Sequence, residues 1–89
     1  MLIALIARDK PGALQTRLDN REAHLAHIEK SGVVSQAGPF LNEAGEMIGS
    51  LIILDVEDME AARRWSEDDP YARAGLFERV EMIAWKKVI

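Results

Sequence analysis

Seven apolar residues, Met1 to Ala7, run without interruption until Arg8-Asp9-Lys10-Pro11-Gly12 breaks the pattern. The run is too short for a signal-peptide core or a membrane span, and it has no basic start. It reads as a strand covered on both faces, and Pro11 and Gly12 suit the loop after it. From Ala13 to Lys30 the spacing turns helical, with Leu14, Leu18, Leu25 and Ile28 in one narrow stripe. Ser31-Gly32 supplies a stop. Val33 to Phe40 reads as a strand interrupted by Gly38-Pro39. Leu41 to Glu46, with Asn42 and Gly45, reads as a hairpin connection. Met47 to Val56 holds Leu51-Ile52-Ile53-Leu54, a third strand with apolar residues facing both ways.

Asp55-Val56-Glu57-Asp58 then places carboxylates where a helix N-terminus favours them. Met59, Ala62 and Trp65 form a helical stripe to about Glu67. Asp68-Asp69-Pro70 ends it, because the residue before proline avoids helical geometry. Tyr71 to Gly75 suits one further short turn. Phe77 to Ile89 reads mostly as a strand, with Val80, Met82 and Ala84 alternating with Glu81, Ile83 and Trp85. The order β-α-β-β-α-β predicts a ferredoxin-like α+β sandwich, an antiparallel sheet with two main helices on one face. Its first and third strands would be central, yet both look covered on both sides. A second copy packed sheet against sheet is the simplest cover, so the pattern predicts a homodimer.

Composition narrows the function classes. Eighty-nine residues make one domain, 1–89. A net charge of -4, with no Lys/Arg cluster longer than a pair, argues against a nucleic-acid partner. The absence of cysteine excludes disulfides, thiolate metal sites and a Cys nucleophile, and fits a reducing compartment. The expectation is a soluble cytoplasmic protein with no membrane association.

Candidates for chemistry near neutral pH are few. On the helical wheel Arg21 falls among the apolar positions of the first helix, while His24 and Arg17 lie towards one rim. His27 points towards solvent. An arginine on the buried face needs an anionic or hydrogen-bonding partner. A rim histidine suits a general acid or base at the mouth of a cleft, or equally a half-exposed helix residue bonded to a backbone carbonyl. Asp69 beside Pro70 suits a turn cap. It equally suits a partner for a cation, because a doubled acid beyond a helix faces the unfavourable end of the dipole. Other constellations fail. His24 and His27 have no third ligand nearby in sequence for zinc. Ser50 sits in no nucleophile elbow, and no Gly-rich phosphate loop precedes a helix. No metal or other cofactor is expected. Trp65, Trp85, Phe40 and Phe77 read as core or dimer-interface residues.

Several well-separated motifs resemble the YCII-related (YciI-like) family. They are Arg21-x-x-His24-Leu25, Ala37-Gly38-Pro39, Gly49-Ser50, Trp65-x-x-x-Asp69-Pro70-Tyr71-x-x-Ala74-Gly75 and Val80-x-x-x-x-Trp85-Lys86-Lys87. The resemblance covers essentially the whole chain and implies a dimeric α+β barrel with a proposed His–Asp active site. Carried over, the pair is His24 and Asp69, with Gly38, Pro39, Ser50 and Tyr71 as candidate pocket neighbours. A few family relatives are dehydrochlorinases of hydroxylated, chlorinated rings, and most are of unknown function. Similar folds include muconolactone isomerases and small cofactor-free monooxygenases.

Two function classes follow. In the first, the chain is a small cofactor-independent enzyme. His24 moves a proton on a small organic acid or phenol-like ring, in an elimination or isomerisation. Asp69 orients the imidazole, Arg21 or Arg17 holds an anionic group, and Tyr71 or Ser50 donates a hydrogen bond. In the second, the same cleft binds a small metabolite without turnover. An accessory module for another protein, which would keep an exposed apolar patch after dimerisation, is a third reading.

Overall fold

A computed structural model describes all residues, 1–89. The elements are β1 (Leu2–Asp9), α1 (Leu14–Ser31), β2 (Val34–Leu41), β3 (Met47–Asp55), α2 (Met59–Asp68), α3 (Pro70–Arg73) and β4 (Phe77–Trp85). The four strands form one antiparallel sheet in the order β2-β3-β1-β4, so β1 and β3 are central as their unbroken apolarity predicts. The helices cover one face.

Alternation along β1 separates the two faces. Ile3, Leu5 and Ala7 point to the helices and pack with Ile52, Leu54, Ala62 and Trp65 as the core. Their neighbours Leu2, Ala4 and Ile6 point the other way, opposite Ile53 and Leu51 on β3 and Trp85 and Ile83 on β4. That outer face keeps Leu51, Ile83 and Trp85 exposed. The sheet is tight at its upper end. A Cβ on Gly49 would collide with the backbone oxygen of Ala7, so glycine is required for β1 and β3 to approach there.

Local chemistry sets the element ends. Gly32 takes a left-handed conformation (φ 67°) at the end of α1. Asp58 caps α2 by accepting the Ala61 N–H at 2.8 Å. Asp69 closes α2 and opens α3, with Pro70 at the first helical position.

Four expectations need correction. β2 runs unbroken from Val34 to Leu41, with Gly38 and Pro39 paired to Leu51 and Ser50, so these residues do not interrupt the strand. β1 runs two residues beyond Ala7 to Asp9, with a register irregularity at Arg8/Asp9. β4 ends at Trp85 rather than Ile89. Most consequentially, α1 does not turn its leucine stripe to the sheet. Leu18 and Leu25 are 48% and 47% exposed, and the buried residues of the helix are Arg17 and His24. Each finds polar partners beneath α1, Asp9 and Ser50 for Arg17 and Asp69 for His24, and leaving such buried groups unpaired would be costly. Ile28 alone of the stripe packs against the core.

Candidate active site

Beneath α1 a cavity of about 130 Å³ opens between that helix, β2, β3 and α3. Arg17, Arg21 and His24 line it from α1, Gly38 and Pro39 from β2, Ser50 from β3 and Tyr71 from α3. Apolar walls come from Ile28 and Ile52.

His24 is 5% exposed and Asp69 1%. His24 Nδ1 lies 2.8 Å from Asp69 Oδ1, and the same oxygen accepts the Tyr71 backbone N–H at 3.0 Å. The turn-cap and partner readings of Asp69 are therefore both satisfied by one atom. A carboxylate oxygen only accepts, so Nδ1 carries the hydrogen and Nε2 is the basic nitrogen of the neutral ring. No buried side-chain nitrogen or oxygen lacks a partner. Nε2, which bonds nothing in the protein, is thus an edge that the cavity reaches.

Tyr71 fixes the plane of that imidazole. The two rings stack with centroids 3.9 Å apart and planes 12° apart. The Arg17 guanidinium carbon lies 4.7 Å from the centre of the same tyrosine ring. Arg17 and His24 are two turns apart on α1, roughly 10 Å along its axis, which leaves room for the ring between them. Phe77 meets Tyr71 edge-on at 6.0 Å. Burial pushes the Tyr71 hydroxyl above the usual phenol value, outweighing the downward pull of Arg17 and Arg21. It is a neutral hydrogen-bond donor near pH 7.

Arg17 is the arginine that needed a buried anion. Its Nε and Nη2 bond Asp9 Oδ2 and Oδ1 at 2.7 and 3.0 Å, and Nη2 also donates to Ser50 Oγ at 2.8 Å. Both members of the pair are about 5% exposed or less. The helical wheel places Arg21 on the buried face, whereas in the structure Arg21 is exposed and Arg17 is buried. Asp9 joins the site without having been among the expected residues. The signal was available, since Asp9 ends the first strand beside the helix that carries two arginines, but the apolar run seemed to stop at Ala7. His27 is corrected as well. It is half-buried, with Nε2 3.1 Å from the Trp65 carbonyl oxygen and its ring tilted against the indole. The two histidines therefore face different partners and do not converge. No group of three or more His, Cys, Asp or Glu is gathered anywhere in the chain as a metal site would require. No helix is long and apolar enough to cross a membrane.

Of the eight expected site residues, seven line the cavity and Asp69 stands directly behind His24. The model of the YCII-related domain matches residues 1–86. Protein YciI of Escherichia coli O6:H1 is 38% identical, over 99% of this chain and of its own. An uncharacterised protein of Haemophilus influenzae is 35% identical over the same shares. Among solved structures, 5-chloro-2-hydroxyhydroquinone dehydrochlorinase (TftG) from Burkholderia phenoliruptrix AC1100, in complex with 2,5-dihydroxybenzoquinone, superposes with a TM-score of 0.88. It is 35% identical, covering 97% of this chain and 94% of that one. An antibiotic biosynthesis monooxygenase superposes at 0.61 with 12% identity over the full length of both, a likeness of fold alone.

Proposed function

The chain belongs to the YCII-related family, and on that footing we propose that it is a cofactor-independent acid–base enzyme acting on a small phenol-like ring or organic acid. The observation that carries the reading is His24 Nε2, a free basic nitrogen facing the cavity while Nδ1–H is held at 2.8 Å by Asp69. Asp69 keeps the imidazole in one tautomer and stabilises it once protonated. Tyr71 holds the ring plane and offers a neutral O–H. Gly38, Pro39 and Ser50 form the opposite wall. The size of the cavity supports a small substrate. An engineered cavity of roughly 150 Å³ accepts benzene, so about 130 Å³ at an open cleft suits one six-membered ring with part of its substituents outside.

The structural likeness to the dehydrochlorinase favours elimination. On a chlorinated trihydroxybenzene, a hydroxyl proton moves through His24 to the chlorine-bearing carbon. Chloride then leaves as a second hydroxyl loses its proton, giving a hydroxyquinone with net loss of HCl and no oxidant. Isomerisation uses the first half of the same cycle. The test is chloride release and quinone absorbance with 5-chloro-2-hydroxyhydroquinone, alongside proton exchange on unchlorinated hydroxylated rings. His24→Ala should abolish both while circular dichroism shows an intact fold. Undiminished turnover in that variant sinks the assignment, and saturable binding of these rings by the native protein without turnover means a metabolite-binding protein instead.

We also propose that the protein is a homodimer built on the outer sheet face. Support comes from the apolar set Leu2, Ile6, Leu51, Ile53, Ile83 and Trp85, which lies on one side of the sheet with three of its members exposed.

A further inference from the structure

Charges around the cavity are unequally committed. Arg17 is 3% exposed, and Asp9 takes two of its N–H bonds, so its positive charge is cancelled inside the wall. Asp69 lies behind His24, where its Oδ1 is occupied by the His24 ring and the Tyr71 N–H. Neither Asp9 nor Asp69 lines the cavity. Arg21 does, and it forms no ion pair or hydrogen bond with any side chain. It lies one turn from both Arg17 and His24 on α1, so its side chain shares their face of the helix. Arg17 and His24 each face a carboxylate of their own, so the one lining charge left without a partner for a ligand to meet is the Arg21 guanidinium at the rim.

We infer that Arg21 makes the site selective for rings bearing one negative charge, a carboxylate or an acidic phenolate, with the anion at the rim and the ring inside. The inference rests on the reading of this cavity as a substrate site and sharpens its substrate class. Arg17 is excluded from that role because it is already paired. The guanidinium supplies a fork of donors matched to a carboxylate, and the ring seated below displaces water from one side of the contact.

A matched pair of probes isolates the charge: 4-hydroxybenzoate and 4-hydroxybenzamide, which have nearly the same shape and differ by one unit of charge. Calorimetric titration of the native protein should favour the acid by about five- to ten-fold at low salt, and the preference should shrink as salt rises. Arg21→Gln should bring the two probes to similar affinity, and Arg21→Lys should restore part of the difference. Equal binding by the native protein, a preference that survives Arg21→Gln, or no saturable binding of the acid overturns the inference. The same titration on His24→Ala separates this idea from the catalytic one. Charge preference should persist there whether or not turnover was ever present, so loss of catalysis leaves the anion selectivity standing.

Discussion

Replacing Asp69 distinguishes its two bonds from its charge. A single oxygen, Oδ1, accepts both from His24 Nδ1 and from the Tyr71 N–H. In Asp69→Ala both are lost. Loss of the cap on α3 costs about 0.5–2 kcal/mol. Leaving the His24 Nδ1–H without an acceptor, in a side chain 7% exposed, adds about 1–3 kcal/mol. The expected destabilisation is roughly 2–4 kcal/mol, enough to lower Tm by about 10 °C or more in a domain this small. In Asp69→Asn a carbonyl oxygen can occupy the Oδ1 position and keep both bonds, losing only their charge assistance, so the cost should be about 1 kcal/mol. Urea unfolding followed by far-ultraviolet circular dichroism, at fixed protein concentration and with m compared across variants, measures the difference. Equal losses for alanine and asparagine, or an alanine variant within about 0.5 kcal/mol of native, would refute the two-bond account. On the proposed acid–base reading activity should order differently, since a protonated imidazole in the cycle would be stabilised by the anion. Both variants should be strongly impaired in turnover although only one is strongly destabilised.

Tyr71 is the chain's single tyrosine, so tyrosinate absorbance reports it alone. Its folded pKa should lie above 10.0 and return to about 10.0 in denaturant. Because the folded state holds this proton more tightly, its contribution to stability is complete below pH 10.0 and is lost as pH rises through the folded pKa. A folded titration at or below 10.0 contradicts the burial assigned to the hydroxyl. For assembly, Leu51→Lys on the outer face should convert a dimer to a monomer in sedimentation velocity. An unchanged sedimentation coefficient means that this face is not the interface.

The sheet and the order of elements were legible because strands and helices differ in period, and because the central strands advertise burial on both faces. The His24–Asp69 pair was legible only with the family resemblance. In the residues alone, an ordinary helix histidine and an ordinary turn cap explained both positions. The orientation of α1 was not legible. A helical wheel gives the angles between Leu18, Leu25, Arg17 and His24, but not which of them meets the sheet. That choice was made by Asp9, Ser50 and Asp69, which lie 8, 33 and 45 residues from their partners on α1. For the same reason Arg21 and Arg17 exchanged roles. The wheel puts Arg21 among the apolar positions and Arg17 at the rim, and only the fold brings a carboxylate, Asp9, to Arg17.

β1 is a party wall between two tenants. Odd-numbered Ile3, Leu5 and Ala7 support the core under the site, and even-numbered Leu2, Ala4 and Ile6 furnish the outer face. Each room can be redecorated by substitution without entering the other. Length is different: one residue inserted or deleted within the strand would exchange the two sets along all that follows, spoiling both faces at once. The strand can therefore drift in sequence while its register is held from two sides.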